Sequence, residues 1–127
     1  EYLKDLIQSD SATWQPVYNE MFSWKITDVY WNTSADGTTQ VSSIKSGSPV
    51  YFHFEISGGE PGAGMVPYYR VFWSDGSRND LRKFDDEYKD GHSGYIYWDK
   101  LSYKGKVTIK IYDGNKKEIG SGSVTMK

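Results

Sequence analysis

Strict alternation of apolar and polar residues is the clearest pattern in this chain. One run covers residues 50–56, where the apolar positions are Val50, Phe52, Phe54 and Ile56. A second covers residues 106–112, with apolar residues at Val107, Ile109 and Ile111. A period of two places successive side chains on opposite faces of a strand. Both runs therefore predict β-strands with one face in a core and the other toward solvent.

Weaker versions of this pattern predict further strands over 21–32, 40–44, 67–74, 94–100 and 118–126. In the first of these, the alternation changes phase between Ile26 and Val29, which indicates a bulge or a strand that switches sheets. Trp24 of the same strand is predicted to lie inside. Residues 78–92 are dense in charge and predict an exposed connection with a short edge strand near 81–84.

Turn residues separate the predicted strands. Asp36-Gly37 is typical of a hairpin turn, and residues 46–49, 74–77 and 113–116 are further turns. Residues 57–64 hold four glycines and a proline, which predicts a mobile loop. About seven short strands joined by such turns predict an all-β, two-sheet antiparallel sandwich.

Residues 1–20 lack the strand pattern. Leu3, Leu6 and Ile7 have helical spacing, which favours a short helix or a linker remnant before a domain over 21–127. The chain begins with Glu1 rather than Met, so we expect a fragment of a longer protein. It contains no apolar run of the length that crosses a membrane, and we predict no membrane insertion.

Three segments between Ile26 and Lys127 carry a family resemblance. They read IKSGSPVYFHFEISGG, YYRVFWSDG and GKVTIKIYDGNKKEIGSGSVTMK. This stretch resembles the immunoglobulin-like modules appended to bacterial secreted glycoside hydrolases and surface proteins, and its second segment resembles the polycystic-kidney-disease-type and triple-tyrosine-type modules. The resemblance implies an immunoglobulin-like sandwich in an extracellular or cell-surface protein. It also implies that Trp73 is an inward tryptophan and that Phe54 and Ile109 fill the place of a disulfide.

Charge and composition exclude several functions. The net charge is −2, and no basic run exceeds Lys116–Lys117, so we predict no binding of nucleic acid. The chain has no cysteine and two histidines, His53 and His92, and no nucleophile elbow surrounds any serine. We therefore predict that it is not an enzyme.

Acidic residues raise the question of a metal. They are Asp80, Asp85, Asp86, Glu87 and Asp90. Such oxygen ligands suit Ca²⁺, but their spacing does not match a calcium-binding loop. We predict no cofactor, and a structural Ca²⁺ is the alternative.

Aromatic residues make up 17% of the chain, with five tryptophans and eleven tyrosines. Exposed rings stack on the C–H patches of sugars, while neighbouring polar groups bind the hydroxyls. If strands 50–56 and 94–100 pair, one outward face carries Tyr51, His53, Tyr95 and Tyr97, with Glu55 beside them. The other sheet presents Tyr68, Arg70 and Phe72 near Tyr112 and Lys110.

These rings also have a structural interpretation. Cross-strand aromatic pairs stabilise sheets, and residues 78–92 would then cover Phe72. We predict a non-catalytic carbohydrate-binding module of a larger secreted bacterial protein. Its partners would be a polysaccharide and other domains of the same polypeptide. The alternative is a structural spacer or adhesive immunoglobulin-like module of a bacterial surface protein.

Overall fold

A computed structural model describes residues 23–37 and 39–127. These residues form ten strands and no helix: β1 (Trp24–Asn32), β2 (Ser43–Ile44), β3 (Ser48–Gly58), β4 (Gly64–Met65), β5 (Tyr68–Trp73), β6 (Arg82–Lys83), β7 (Tyr88–Lys89), β8 (His92–Leu101), β9 (Gly105–Tyr112) and β10 (Glu118–Met126). Within the same ranges no helix long and apolar enough to span a membrane is found. The predicted N-terminal segment 1–20 lies outside the described residues.

The strands form three sheets. β1-β3-β8 is a three-stranded sheet, β2-β10-β9-β5-β6 is a five-stranded sheet, and β4-β7 is a two-stranded sheet. The long strands pair antiparallel, as predicted, but β2 pairs parallel with the end of β10. The predicted strand 40–44 is thereby reduced to two residues, because only Ser43 and Ile44 reach the end of β10. Four of the ten strands are this short, so the prediction of about seven regular strands is only partly confirmed.

The core lies between the inward faces of the two larger sheets. The apolar positions of both alternating runs are buried there, together with Trp31 and Val124. Trp24 and Trp73 are half-buried and pack against this core. The observed burial confirms the predicted phase of β3 and β9. Phe54 and Ile109 both belong to the core.

A bulge interrupts β1 where the alternation changes phase. Ile26 pairs with Ile56 and Tyr30 pairs with His53, with a register shift between Thr27 and Tyr30. Asp28 adopts a φ of 52° at this point. An extra residue of this kind reverses the side-chain phase beyond it. As a result, Tyr30 lies on the same outward face as His53, while the next residue in β1 turns inward.

The hairpin predicted at Asp36-Gly37 is wrong. β1 and β2 belong to different sheets, so no hairpin joins them. Asn32 instead stabilises the loop that follows β1, since its Nδ2 donates to the Gly37 carbonyl at 2.8 Å. Asp-Gly is a local turn signal, and strand pairing across it depends on where the following segment packs.

The glycine-rich segment is more ordered than predicted. Gly64 and Met65 form β4, which pairs with β7. The predicted edge strand near 81–84 is confirmed as β6, which pairs with β5. The β4–β7 pairing is non-local, and a two-residue strand has too little pattern to be recognised from sequence.

Two glycines allow the sheets to approach closely at β10. A Cβ on Gly122 would lie 2.6 Å from both Phe52 Cε1 and Val29 Cγ1, and one on Gly120 would overlap the Ile26 side chain. The absence of side chains at these positions leaves space for apolar residues of β1 and β3. Glycine is therefore required here for packing between layers.

Candidate functional site

The register between β3 and β8 gathers three tyrosines on one outward surface. Tyr51 pairs with Tyr97, and His53 pairs with Tyr95. Alternation along each strand keeps these side chains on the face opposite Phe52 and Ile96, which are buried. The predicted pairing of the two strands is confirmed. We refer to Tyr51, Tyr95 and Tyr97 as the tyrosine patch.

The rings of the tyrosine patch contact one another and remain open to solvent. Tyr51 and Tyr97 are stacked, with ring centroids 5.5 Å apart and an angle of 12° between their planes. Tyr95 meets Tyr51 edge-on at 5.4 Å. Tyr95 is 44% exposed and Tyr97 is 54% exposed, and they are the exposed large hydrophobic residues of the described chain. Together with Tyr51 they form an aromatic surface on the outer face of β3 and β8, the central strand and one edge strand of the three-stranded sheet.

His53 was predicted to be a ligand-binding residue on an open surface, but its side chain is covered. It lies on the predicted face but is only 6% exposed, because Tyr30 stacks on its ring and the loop after β1 covers it. Its Nε2 lies 2.9 Å from Asn32 Oδ1 and 3.0 Å from the Ser34 carbonyl. Both partners are oxygen acceptors, so Nε2 carries the proton and donates. His53 therefore connects the tyrosine patch to the loop rather than offering a free imidazole.

A cavity of about 550 Å³ adjoins the tyrosine patch. Its lining consists of Asp28, Val29, Tyr30, Gln40, His53, Phe54, Glu55, Ser93 and Gly94. Glu55 was predicted to lie beside the patch and does so. Thr27 Oγ1 donates to Glu55 Oε2 at 3.4 Å. The cavity thus places carboxylates, an amide and a hydroxyl next to the exposed rings.

Sequence reasoning missed Asp28, Tyr30 and Gln40 as members of this surface. The phase change in β1 was the available signal for Asp28 and Tyr30, because a bulge changes the direction of the side chains around it. Gln40 follows the loop in an irregular segment, and nothing in its sequence neighbourhood marks it. Its position in the cavity is a result of tertiary packing.

The second candidate surface has a different character. Tyr68 pairs with Tyr112, and Arg70 pairs with Lys110, as predicted. The Lys110 ammonium lies 5.0 Å from the centroid of the Phe72 ring. Lys110 therefore lies over the Phe72 ring, and the predicted cover, segment 78–92, contributes a backbone bridge between Arg78 and Phe72.

Tyr68 also carries cations over its ring. Lys116 and Lys83 place their ammonium groups 5.5 Å and 5.9 Å from its centroid. Tyr68, Arg70, Phe72 and Tyr112 are half-buried. Their rings are engaged by lysines, so this face offers less open aromatic surface than the tyrosine patch.

The acidic residues of segment 78–92 are dispersed. Asp90 Oδ1 accepts a hydrogen bond from the Gly58 amide at 2.8 Å. His92 Nδ1 accepts one from the Lys89 amide at 3.3 Å. In residues 23–37 and 39–127, no three metal-ligating side chains are grouped around a common point.

Two titratable groups outside the tyrosine patch are perturbed. Burial, together with the nearby Asp86 carboxylate, raises the pKa of Tyr88. Hydrogen bonds from the Ser77 side chain and backbone lower the pKa of the exposed Asp75. The shift at Tyr88 results from local packing, and the shift at Asp75 results from hydrogen bonds within a turn.

Comparison with known proteins identifies structural relatives. An immunoglobulin-like protein from Pseudomonas aeruginosa has a TM-score of 0.56 and 12% identity, and the match covers 84% of this chain and 98% of that one. The Pseudomonas fluorescens alkylpurine DNA glycosylase, bound to DNA containing an abasic-site analogue, has a TM-score of 0.54 and 15% identity over 82% of this chain and 30% of that one. A β-glucosidase from Erythrobacter marinus has a TM-score of 0.51 and 11% identity over 83% of this chain and 15% of that one.

No family model matches the chain, and no curated protein matches it by sequence. The chain spans less than a third of the glycosylase and of the glucosidase. At these identities the likeness shows the fold alone. The part of the chain that the structure describes is all-β and has an immunoglobulin-like fold.

Proposed function

We propose that this protein is a non-catalytic carbohydrate-binding module of a larger secreted bacterial protein. It binds a polysaccharide on the tyrosine patch. The observation that carries the proposal is the stacked pair Tyr51–Tyr97, flanked by Tyr95 on an open sheet face. If these rings served only to pack against one another, their role would not explain why Tyr95 and Tyr97 leave about half of their surface exposed to water.

The chemistry of sugars supports this assignment. A pyranose ring presents C–H patches that pack on aromatic surfaces, and its hydroxyls need donors and acceptors nearby. The patch supplies the aromatic surface, and the adjoining cavity supplies Asp28, Glu55, Gln40 and Ser93. Its volume of about 550 Å³ is in the range of small-molecule sites. One part of a glycan would stack on the rings while a neighbouring sugar reaches the cavity.

The charge of the cavity favours a neutral glycan. The described residues that line it include the carboxyl groups of Asp28 and Glu55 and no lysine or arginine. Carboxylates accept hydrogen bonds from sugar hydroxyls but repel the carboxylates of uronic acids. Neutral chains such as glucans, mannans and xylans therefore suit this surface.

A structural spacer or adhesive module is the second candidate. The described tryptophans support it, since Trp31 is buried and Trp24, Trp73 and Trp98 are half-buried against the core. None of them forms an open platform. In this alternative the tyrosine patch stabilises the sheet through its cross-strand contacts.

Affinity electrophoresis against glucans, mannans, xylans and starch tests the proposal. We expect retardation by at least one neutral polysaccharide. Tyr97→Ala should weaken it by about 1–3 kcal/mol, as expected for an aromatic anchor. Tyr112→Ala, on the opposite sheet, is the matched control and should leave retardation unchanged. Migration unaffected by every glycan, or equal loss in both variants, would remove the proposal in favour of the spacer.

A further inference from the structure

The outer face of the five-stranded sheet concentrates positive charge. Its registers place there the side chains of Arg70, Arg78, Lys83, Lys106, Lys110 and Lys116, together with the carboxylate of Glu118. We call these six cationic residues the basic face. The whole chain has a net charge of −2, so its charges are segregated and this sheet face is locally basic.

The arrangement within the basic face is unfavourable without an anion. Arg70 lies directly opposite Lys110 on the neighbouring strand, and like charges in that position destabilise a sheet. Glu118 lies 3.4 Å from the Lys110 ammonium, but both side chains are solvent-exposed and such pairs contribute little. Arg70 Nε is buried without a hydrogen-bond partner in the described part of the chain. A bound anion would relieve this repulsion.

The aromatic rings of this face position the cations. Lys110 lies over Phe72, and Lys83 and Lys116 lie over Tyr68. These cation–π contacts hold flexible lysines against the sheet, which reduces the entropy lost when they bind a ligand. They also cover the ring faces on which the bases of a single-stranded nucleic acid would stack.

Hydroxyl groups accompany the cations. Thr108 and Ser123 lie side by side on the same face, with their oxygens 2.7 Å apart. Ser121 pairs with Lys110, and Thr125 pairs with Lys106. The surface therefore alternates cations with small hydroxyl side chains, which suits a ligand bearing both carboxylates and hydroxyls.

We propose that the basic face binds a carboxylate-bearing polysaccharide, that is, a chain of uronic acids. Its carboxylates would pair with the lysines and Arg70, while its hydroxyls contact the row of serines and threonines. Duplex nucleic acid fits less well, because its dense phosphate charge would meet a protein whose net charge is −2. This site shares no residue with the tyrosine patch, so each can fail without the other.

Binding to immobilised polygalacturonate tests the proposal, with a neutral dextran surface as the blank and a duplex DNA surface as the competing ligand class. We expect binding to polygalacturonate that weakens with added salt, since exposed charges are screened. Lys83→Glu/Lys116→Glu should weaken it on the order of tenfold, through two lost ion pairs and added repulsion. The charge-matched control is Lys25→Glu/Lys89→Glu, at exposed lysines of the other two sheets, which should bind as the wild type does.

The urea unfolding midpoint of each variant checks that it is folded. Lys106→Glu, at the other end of β9, is a second and independent test of the basic face. Equal loss in the basic-face and control variants would show that net charge alone drives binding, and it would overturn the proposal. Stronger binding to duplex DNA than to polygalacturonate would overturn it in favour of nucleic acid. No binding to polygalacturonate would also overturn it, while leaving retardation by neutral glycans unaffected.

Discussion

The His53 ring lies face to face with the Tyr30 ring, with centroids 4.5 Å apart and an angle of 8° between the planes. This contact exists because the bulge in β1 turns Tyr30 onto the outward face opposite His53. On its other side, His53 contacts Tyr95 of the tyrosine patch at 5.7 Å. A bulge in an edge strand is thereby linked through one imidazole to the exposed rings and to the loop that follows β1.

Replacing Asn32 should destabilise the protein. Its Oδ1 accepts from His53 Nε2 and from the Ser34 amide at 3.1 Å, and its Nδ2 donates to the Gly37 carbonyl. Asn32→Ala leaves His53 Nε2 with the Ser34 carbonyl as its remaining acceptor and removes the bonds of Asn32 to the Ser34 amide and the Gly37 carbonyl, which costs about 1–3 kcal/mol. Urea unfolding of Asn32→Ala measures this loss. Asp36→Ala, at an exposed position in the same loop, should unfold at the wild-type midpoint, and equal midpoints for all three proteins would contradict the assigned role of Asn32.

Adding a methyl group at Gly122 should disturb the packing between the sheets. The new Cβ would lie 2.6 Å from Phe52 and Val29, and Phe52 is fully buried. Overpacking of this kind costs about 1–3 kcal/mol. At Gly114 the nearest atom to a Cβ is 3.8 Å away, so Gly114→Ala is the matched control and should be close to neutral. A lower thermal midpoint in Gly122→Ala alone is the expected result; similar midpoints would show that β1 and β3 shift freely.

Tyr88 should make the protein less stable at high pH. Burial and Asp86 raise its folded-state pKa above the ordinary value of 10.0, so the folded state favours the neutral phenol. This contribution is fully present below the unfolded pKa and is lost as the pH rises through the folded pKa. Tyr88→Phe should therefore lose less stability than the wild type between about pH 7 and about pH 11. Urea midpoints at the two pH values measure the difference.

The comparison for this prediction is Tyr97→Phe, which removes a hydroxyl from an exposed ring. Its midpoints should follow those of the wild type at both pH values. If Tyr88→Phe and the wild type lost stability in parallel, deprotonation of Tyr88 would not be coupled to unfolding.

Much of the site was predictable from strand alternation. The phase of β3 placed Tyr51 and His53 on one face, and pairing with 94–100 brought Tyr95 and Tyr97 beside them. The burial of His53 was not predictable, since alternation assigns a residue to a face and says nothing of what covers that face. Asn32 at the end of β1 and Ser34 in the following loop bond to the imidazole here, and that loop was predicted to form a hairpin turn.

The sequence by itself determined which side chains of the strictly alternating strands β3 and β9 point inward, because a period of two is a local property of the backbone. It also indicated an irregularity in β1, either a bulge or a switch between sheets, and the turn after β9, where Asp113 Oδ1 accepts from the Asn115 and Lys117 amides. Only the tertiary structure decided the parallel pairing of β2 with β10, the β4–β7 pair, the covered imidazole and the concentration of cations on one face. Each of these depends on which distant segments meet, and that outcome is set by the packing of the whole core rather than by any local pattern.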